Sequence, residues 1–206
     1  MRAKPEKSGL TVTEQARRNQ ITAAAIETIA ALGYSRASFS QIARRAGLSS
    51  TGLISYHFAG KDDLMDAVLH RILGDFTDFV MARPDDGTAA GALRTFLEAN
   101  LDFMREHRDH MVTLLRVRSG YLEGEERVAS GAKLFASDRL KMADLLREGQ
   151  RAGEFRDFDA DFMAGFILSL RNGVISRLGT EADFDLDTCA RELLAAVELA
   201  TRKGHT

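Results

Sequence analysis

Tryptophan is absent from this sequence, cysteine occurs once (Cys189), and proline twice (Pro5 and Pro84) in 206 residues. A single cysteine excludes an internal disulfide framework and any multi-cysteine zinc site, and Cys189 reads as a small buried hydrophobe. Two prolines leave long stretches free to be helical, because proline breaks a helix interior by removing a donor and clashing with the preceding turn. No apolar run approaches the ~18 residues of a membrane-spanning helix. The opening MRAKPEKSGL lacks the apolar centre of a secretion signal, so a cytoplasmic protein with no membrane partner is expected. There is no nucleophile motif, glycine-rich phosphate loop or obviously paired carboxylate, and neither enzymatic activity nor a cofactor is expected. His107 and His110, three apart around Asp109, invite a metal but lack a third ligand, so no metal site is expected.

What is present is an ordinary globular composition, 45% hydrophobic and 28% charged, on a chain long enough for one domain or two small ones. The formal charge of −2 hides an asymmetry. Residues 1 to 61 hold nine basic and three acidic groups, a net of +6; the rest holds 19 and 27, a net of −8. A basic N-terminal quarter on an acidic body suggests a nucleic-acid face joined to something that need not touch phosphate.

The apolar spacing is helical and nothing reads as strand. Thr11 and Glu14 form a capping box for a first helix that ends at Gly33. Ser38, with Gln41 as its box partner, opens a short second helix that stops at Gly47, where positive φ suits a glycine. A third follows at once, with Ser49 or Ser50 as N-cap and Leu53, Ile54 and Phe58 buried. Two short helices about a tight glycine-containing turn, braced by a longer one, form a helix-turn-helix. Lys61 to about Met81 is a long helix, broken at Pro84-Asp85-Asp86-Gly87. Further helices are expected from Ala92 to Met104, from His110 to Leu115 before a looser stretch at Ser119 to Gly124, and over 126–151. Asp157 or Asp159 caps the next, and Asp185 or Asp187 the last.

A recognition helix must enter a groove about 12 Å wide, so its exposed face needs short polar side chains. Ser50, Thr51, Gly52 and Ser55 fit. Tyr56, His57 and Lys61 supply donors at its far end for phosphate. Ser38, Ser40 and Gln41 open the second helix, whose N–H groups can receive phosphate, and Arg44 adds charge beside it. No Arg or Asn in the middle of the recognition helix offers a bidentate base contact, which leaves Gln41 and Thr51 as the base readers. Most of the affinity is expected from phosphates and should fall steeply with salt.

The run Leu32-Gly33-Tyr34, Ser38-x-x-x-Ile42-Ala43-x-x-Ala46-Gly47-Leu48-Ser49, Gly52-Leu53-Ile54-Ser55-Tyr56-His57-Phe58 and Lys61-Asp62-Asp63-Leu64 resembles the TetR family of tetracycline-repressor-like transcriptional regulators. The resemblance is specific over Thr13 to Leu69; beyond residue 80 only the helix pattern agrees. Ser49-Ser50-Thr51-Gly52 is one residue longer than that family's usual turn. The resemblance implies an all-α chain: an N-terminal arm and three-helix DNA-binding domain over 1–60, then a larger helical effector-binding and dimerisation domain over 61–206. It implies operator DNA, a small-molecule effector and a second copy of the chain as partners. The expected role is a repressor released by an apolar or aromatic effector, the alternative being an activator or a protein-controlled member of the same fold.

That family keeps its effector cavity among the helices between about 62 and 151. The soft, bulky residues there are Phe76, Phe79, Phe103, Met104, Met111, Leu115, Phe135 and Met142, with His110 and Arg116 as the polar end. An arginine there favours a carboxylate. The helix over 62–81 is the expected lever between cavity and reader. Family members dimerise through their last two helices, and here Gly165, Ser169, Gly173, Leu193, Leu194 and Val197 occupy that place.

Overall fold

The computed structural model describes residues 11–121, 125–181 and 183–204, and the side chains of those outside 118–121 and 125–136. Among the described residues the chain forms α1 (Val12–Leu32), α2 (Phe39–Arg45), α3 (Gly52–His57), α4 (Lys61–Met81), α5 (Ala89–Glu106), α6 (Arg108–Tyr121), α7 (Glu125–Arg151), α8 (Ala160–Thr180) and α9 (Leu186–Thr201). The only β pairing among them is an isolated bridge between Phe155 and Arg202. None of these helices is long and apolar enough to cross a membrane.

The helix ends follow from local chemistry. Thr11 and Glu14 make the reciprocal capping box, and Gly33 ends α1 at φ 87°. Ser38 accepts the Gln41 N–H, but Gln41 does not reciprocate as expected: its side-chain oxygen accepts from Arg44 instead. At the other end of α2, Leu48 N–H reaches Ala43 O at 2.9 Å and Gly47 N–H reaches Arg44 O at 3.2 Å. With Gly47 at φ 65° this is the Schellman arrangement, which satisfies orphan carbonyls at a left-handed residue.

Three expectations need correction. Neither Ser49 nor Ser50 caps α3; Thr51 holds that place at φ −68°, ψ −20° and makes no side-chain cap bond. A capping oxygen swings over the first amides only from extended backbone, and the longer turn delivers Thr51 already in helical conformation. The looser stretch expected from Ser119 is helical as far as Tyr121, while 122–124 lie outside the described residues. The helix expected at Ala92 begins at Ala89, because the Thr88 hydroxyl accepts the Gly91 N–H at 2.9 Å. Of the alternatives left open at α8 and α9, Asp159 and Asp185 are the caps.

Two apolar cores result. The first joins Ile21, Ala25 and Ile29 of α1 with Ile42, Ile54 and Phe58, then with Leu64, Met65, Val68 and Ile72 of α4 and Val117 of α6. The second gathers Leu97, Phe103 and Met104 of α5 with Met142 and Leu146 of α7, Ile167 and Ile175 of α8, and Leu193 and Val197 of α9. α6 serves both. Its Met111 packs in the second core, while Thr113 Oγ1 donates to Ile26 O at 2.8 Å and Arg116 Nη1 donates to Ile29 O at 3.1 Å and Ala30 O at 2.8 Å.

Candidate nucleic-acid interface and ligand cavity

α2 and α3 are seven and six residues long, too short to be stable alone, and α1 holds both by their C-terminal ends. Gln20 Nε2 donates to Ala46 O at 2.7 Å, at the end of α2. Arg18 donates to the His57 carbonyl at the end of α3, lies 4.1 Å over the Phe58 ring and sits 3.8 Å from Asp63. Cations and donors there complement the negative helix end. With Ile54 and Phe58 buried, the opposite face of α3 is fixed outward.

That outward face carries most of the residues expected to meet DNA. Ser50, Thr51, Gly52, Ser55 and Tyr56 are exposed, Tyr56 at 74%. Ser38, Ser40 and Arg44 are exposed on and beside α2, and Gln41 is half-buried. Two others are more engaged than expected. His57 is half-buried with its ring edge-on to Tyr56 at 4.9 Å. Lys61 donates to Tyr34 O at 3.1 Å and lies 4.2 Å over the Tyr34 ring, so its charge ties the start of α4 to the connection between α1 and α2. Arg17 bonds Gln20 at 2.6 Å on the exposed surface of α1, and Arg45 pairs with Glu27 at 3.3 Å.

In the body, a cavity of about 40 Å³ lies among α4 to α8, lined by Ile72, Leu73, Phe76, Asn100, Met111, Leu114, Leu115, Asp138, Arg171, Asn172 and Ile175. Phe76, Met111 and Leu115 were expected there. Phe103, Met104 and Met142 are instead core, at 0%, 0% and 4% exposure: a stripe at helical spacing first fills the interior between helices. Phe79 stacks edge-on to Phe103 at 5.4 Å, with Arg83 over the Phe79 ring at 4.7 Å. Arg116 is turned away, its guanidinium capping the end of α1. His110 faces Asp75 at 3.2 Å, away from this lining; burial holds its imidazole below the usual value, against the pull of the Asp75 carboxylate. Phe135 lies outside the described side chains. The polar groups of the cavity are Asn100, Asp138, Arg171 and Asn172, which sequence reasoning missed. A lone Asn or Arg within a helix carries no periodic signal, so only the fold reveals them.

The α8 and α9 surface also differs from expectation. Leu193 and Val197 are buried in the second core at 8% and 4%, and Leu194 packs against it. Gly165 is half-buried, and Ser169 and Gly173 are exposed. Beside them stand Phe162, Phe166 and Leu170, exposed at 70%, 62% and 50%, and Leu199 of α9 at 60%. The spacing of four places the α8 residues on one exposed apolar stripe. No group of three or more metal-ligating side chains occurs among the described residues.

Residues 21–68 match the family model described as bacterial regulatory proteins, tetR family. The HTH-type transcriptional regulator BetI 1 of Chromohalobacter salexigens is 36% identical over 101 residues, 48% of this chain and 50% of that protein. BetI of Klebsiella pneumoniae is 37% identical over 89 residues, 42% of this chain and 45% of that protein. The chain thus spans about half the length of the relatives it matches. A transcriptional regulator from Saccharomonospora viridis, solved in complex with choline, superposes with a TM-score of 0.79 at 25% identity, covering 92% of this chain and 100% of that one.

Proposed function

We propose that this chain, which belongs to the tetR family of bacterial regulatory proteins, binds operator DNA as a homodimer and acts as a repressor released by a small molecule in its helical body. The observation that carries the reading is the pinning of α2 and α3, both inside the matched segment, by Arg18 and Gln20 just ahead of it, which presents Ser50, Thr51, Gly52, Ser55 and Tyr56 to solvent as one rigid face. Short polar side chains let that face approach base edges, with Tyr56, Arg44 and Arg17 at its margins for phosphate. One such face reads a single half-site, and specific affinity calls for two, about one helical turn of DNA apart or a multiple of it. The stripe of Phe162, Phe166, Leu170 and Leu199 is the surface we assign to the second copy.

The choline complex of the Saccharomonospora viridis protein supports a small organic ligand for this fold, and the apolar wall of Ile72, Phe76, Met111 and Leu115 supports an apolar or aromatic body for it here. A ligand shifts the DNA equilibrium only by its differential affinity for two conformations. α6 couples the two sites: Met111, Leu114 and Leu115 line the cavity, while Thr113 and Arg116, on the same helix, hold α1 by its carbonyls. Fluorescence anisotropy with duplexes from upstream of the chain's own gene, at two salt concentrations and with unrelated duplex as competitor, tests the reading. Competitor-resistant binding by two protomers per site is expected; binding that salt abolishes equally for every duplex, there and across genomic fragments, refutes it.

A further inference from the structure

We infer that the cavity among α4 to α8 takes a small uncharged molecule that donates a hydroxyl or N–H to Asn100 Oδ1 and lays an apolar body along Phe76, Met111 and Leu115, a phenol being the simplest member of the class. The inference rests on the reading of this cavity as the effector site and adds the chemical class of the ligand.

Asn100 supplies the polar half of the site. It is 1% exposed, and its Nδ2 donates to Phe96 O at 2.7 Å, which settles which way the amide faces. Its Oδ1 is buried, belongs to a residue of the cavity wall and accepts no hydrogen bond from the described residues. A buried acceptor without a donor carries the full cost of its desolvation, and leucine would fill the same helical position without that cost. A ligand hydroxyl or N–H removes the penalty only while bound.

The charged groups of the wall balance each other. Arg171 donates from Nη2 to Asn172 Oδ1 at 3.3 Å, stands with Nη1 4.0 Å from the Asp138 carboxylate and keeps a further interaction. Its guanidinium is thus committed to protein partners, and one positive and one negative group share the lining. A cation drawn toward Asp138 also approaches Arg171, and an anion drawn toward Arg171 also approaches Asp138. Neither recovers the hydration it leaves outside, whereas an uncharged molecule gives up far less. Ile72, Phe76, Met111 and Leu115 then offer an apolar wall to its body. At about 40 Å³ the cavity is far below the roughly 300–1,000 Å³ of occupied drug-sized sites, which limits the occupant to the scale of a single ring. Its entry moves the half-buried Leu114 and Leu115 of α6, the helix that holds α1.

Phenol, toluene (similar in size, without the donor), 4-hydroxybenzoate (the donor with a negative charge) and choline (a hydroxyl with a positive charge) are the probes, each at millimolar concentration with the full chain, read by calorimetry and by the thermal midpoint. A purely apolar cavity takes toluene over phenol, because phenol must bring its hydroxyl out of water. Here phenol is expected to bind about fivefold or more tightly than toluene, the worth of one buried hydrogen bond, and to raise the midpoint. Both charged probes should bind more weakly than phenol by about tenfold or more. Asn100→Leu should reverse the order of phenol and toluene and raise the midpoint of the ligand-free protein. Phenol no tighter than toluene on the wild type, a charged probe preferred to phenol, or a preference for phenol that survives Asn100→Leu overturns the proposal. So does binding of none of the four, as a water held on Asn100 would give; the wild-type ranking requires no variant to fold. A lowered midpoint in folded, ligand-free Asn100→Leu overturns the cost assigned to Oδ1. Duplex titration of the wild type reports separately on the regulator: phenol binding without operator binding would leave this site standing and refute the regulatory role, and operator binding with no probe bound would overturn this inference alone.

Discussion

Arg18 and Gln20 are two residues apart on α1, and each closes the end of a different short helix. In the sequence they are indistinguishable from solvated surface: Arg18 counts only as one positive charge and Gln20 as nothing. The contacts that give them a role lie 39 and 26 residues away, a distance at which local patterns carry no information. Gln20→Leu leaves the Ala46 carbonyl without that donor and should cost about 1 kcal/mol, read as a lower urea midpoint. Operator affinity should fall with it, because α2 loses an anchor while every side chain we assign to the DNA face remains. His110 offers a second test. Burial lowers its native pKa below the unfolded value despite Asp75, with His107 and Arg71 pushing the same way as burial. The unfolded chain thus takes up this proton more readily. Stability from His110 is present above the ordinary imidazole range and is lost as the pH falls through the native value. Denaturant midpoints measured across pH 5–8 should slope less in His110→Gln than in the parent.

At the level of elements, caps and breakers made most of the fold legible: Thr11, Ser38, Asp159 and Asp185 begin helices, and Gly33 ends one, as their chemistry requires. Periodicity could not decide which apolar residues face a cavity, which fill the core and which stay exposed, since all three read as the same stripe. Leu193 and Val197 went to the core and Phe162 and Phe166 to the surface because the neighbours of α8 and α9 are set by tertiary packing. The turn between α7 and α8 has its own constraint. The Phe155 ring packs on Gly149 so closely that a Cβ there would overlap it, and Phe155 is 5% exposed. Gly149→Ala should therefore cost about 1–3 kcal/mol, as overpacking does, despite the higher helix propensity of alanine. A raised thermal midpoint in that variant would show that the ring relaxes freely.

Across the whole molecule, the exposed stripe on α8 and the shared helix α6 make the sharpest predictions. Phe166→Glu places a charge in the surface assigned to the second copy and should give a monomer by analytical ultracentrifugation, with operator affinity reduced toward the non-specific level. A dimer that survives this change would locate the interface elsewhere. Because α6 contributes Val117 to one core and Met111 to the other, the parts should unfold in one cooperative transition, and Arg116→Met should lower its midpoint. The same helix limits how far such a protein is modular. A chimera that grafts residues 11–60 onto an unrelated regulator's body leaves the carbonyls of Ile26, Ile29 and Ala30 without Thr113 and Arg116. The unit that can be exchanged between relatives is therefore the N-terminal helices together with the matching face of α6, and a biosensor assembled at the loop after α3 alone would lose the contacts that make the chain one cooperative unit.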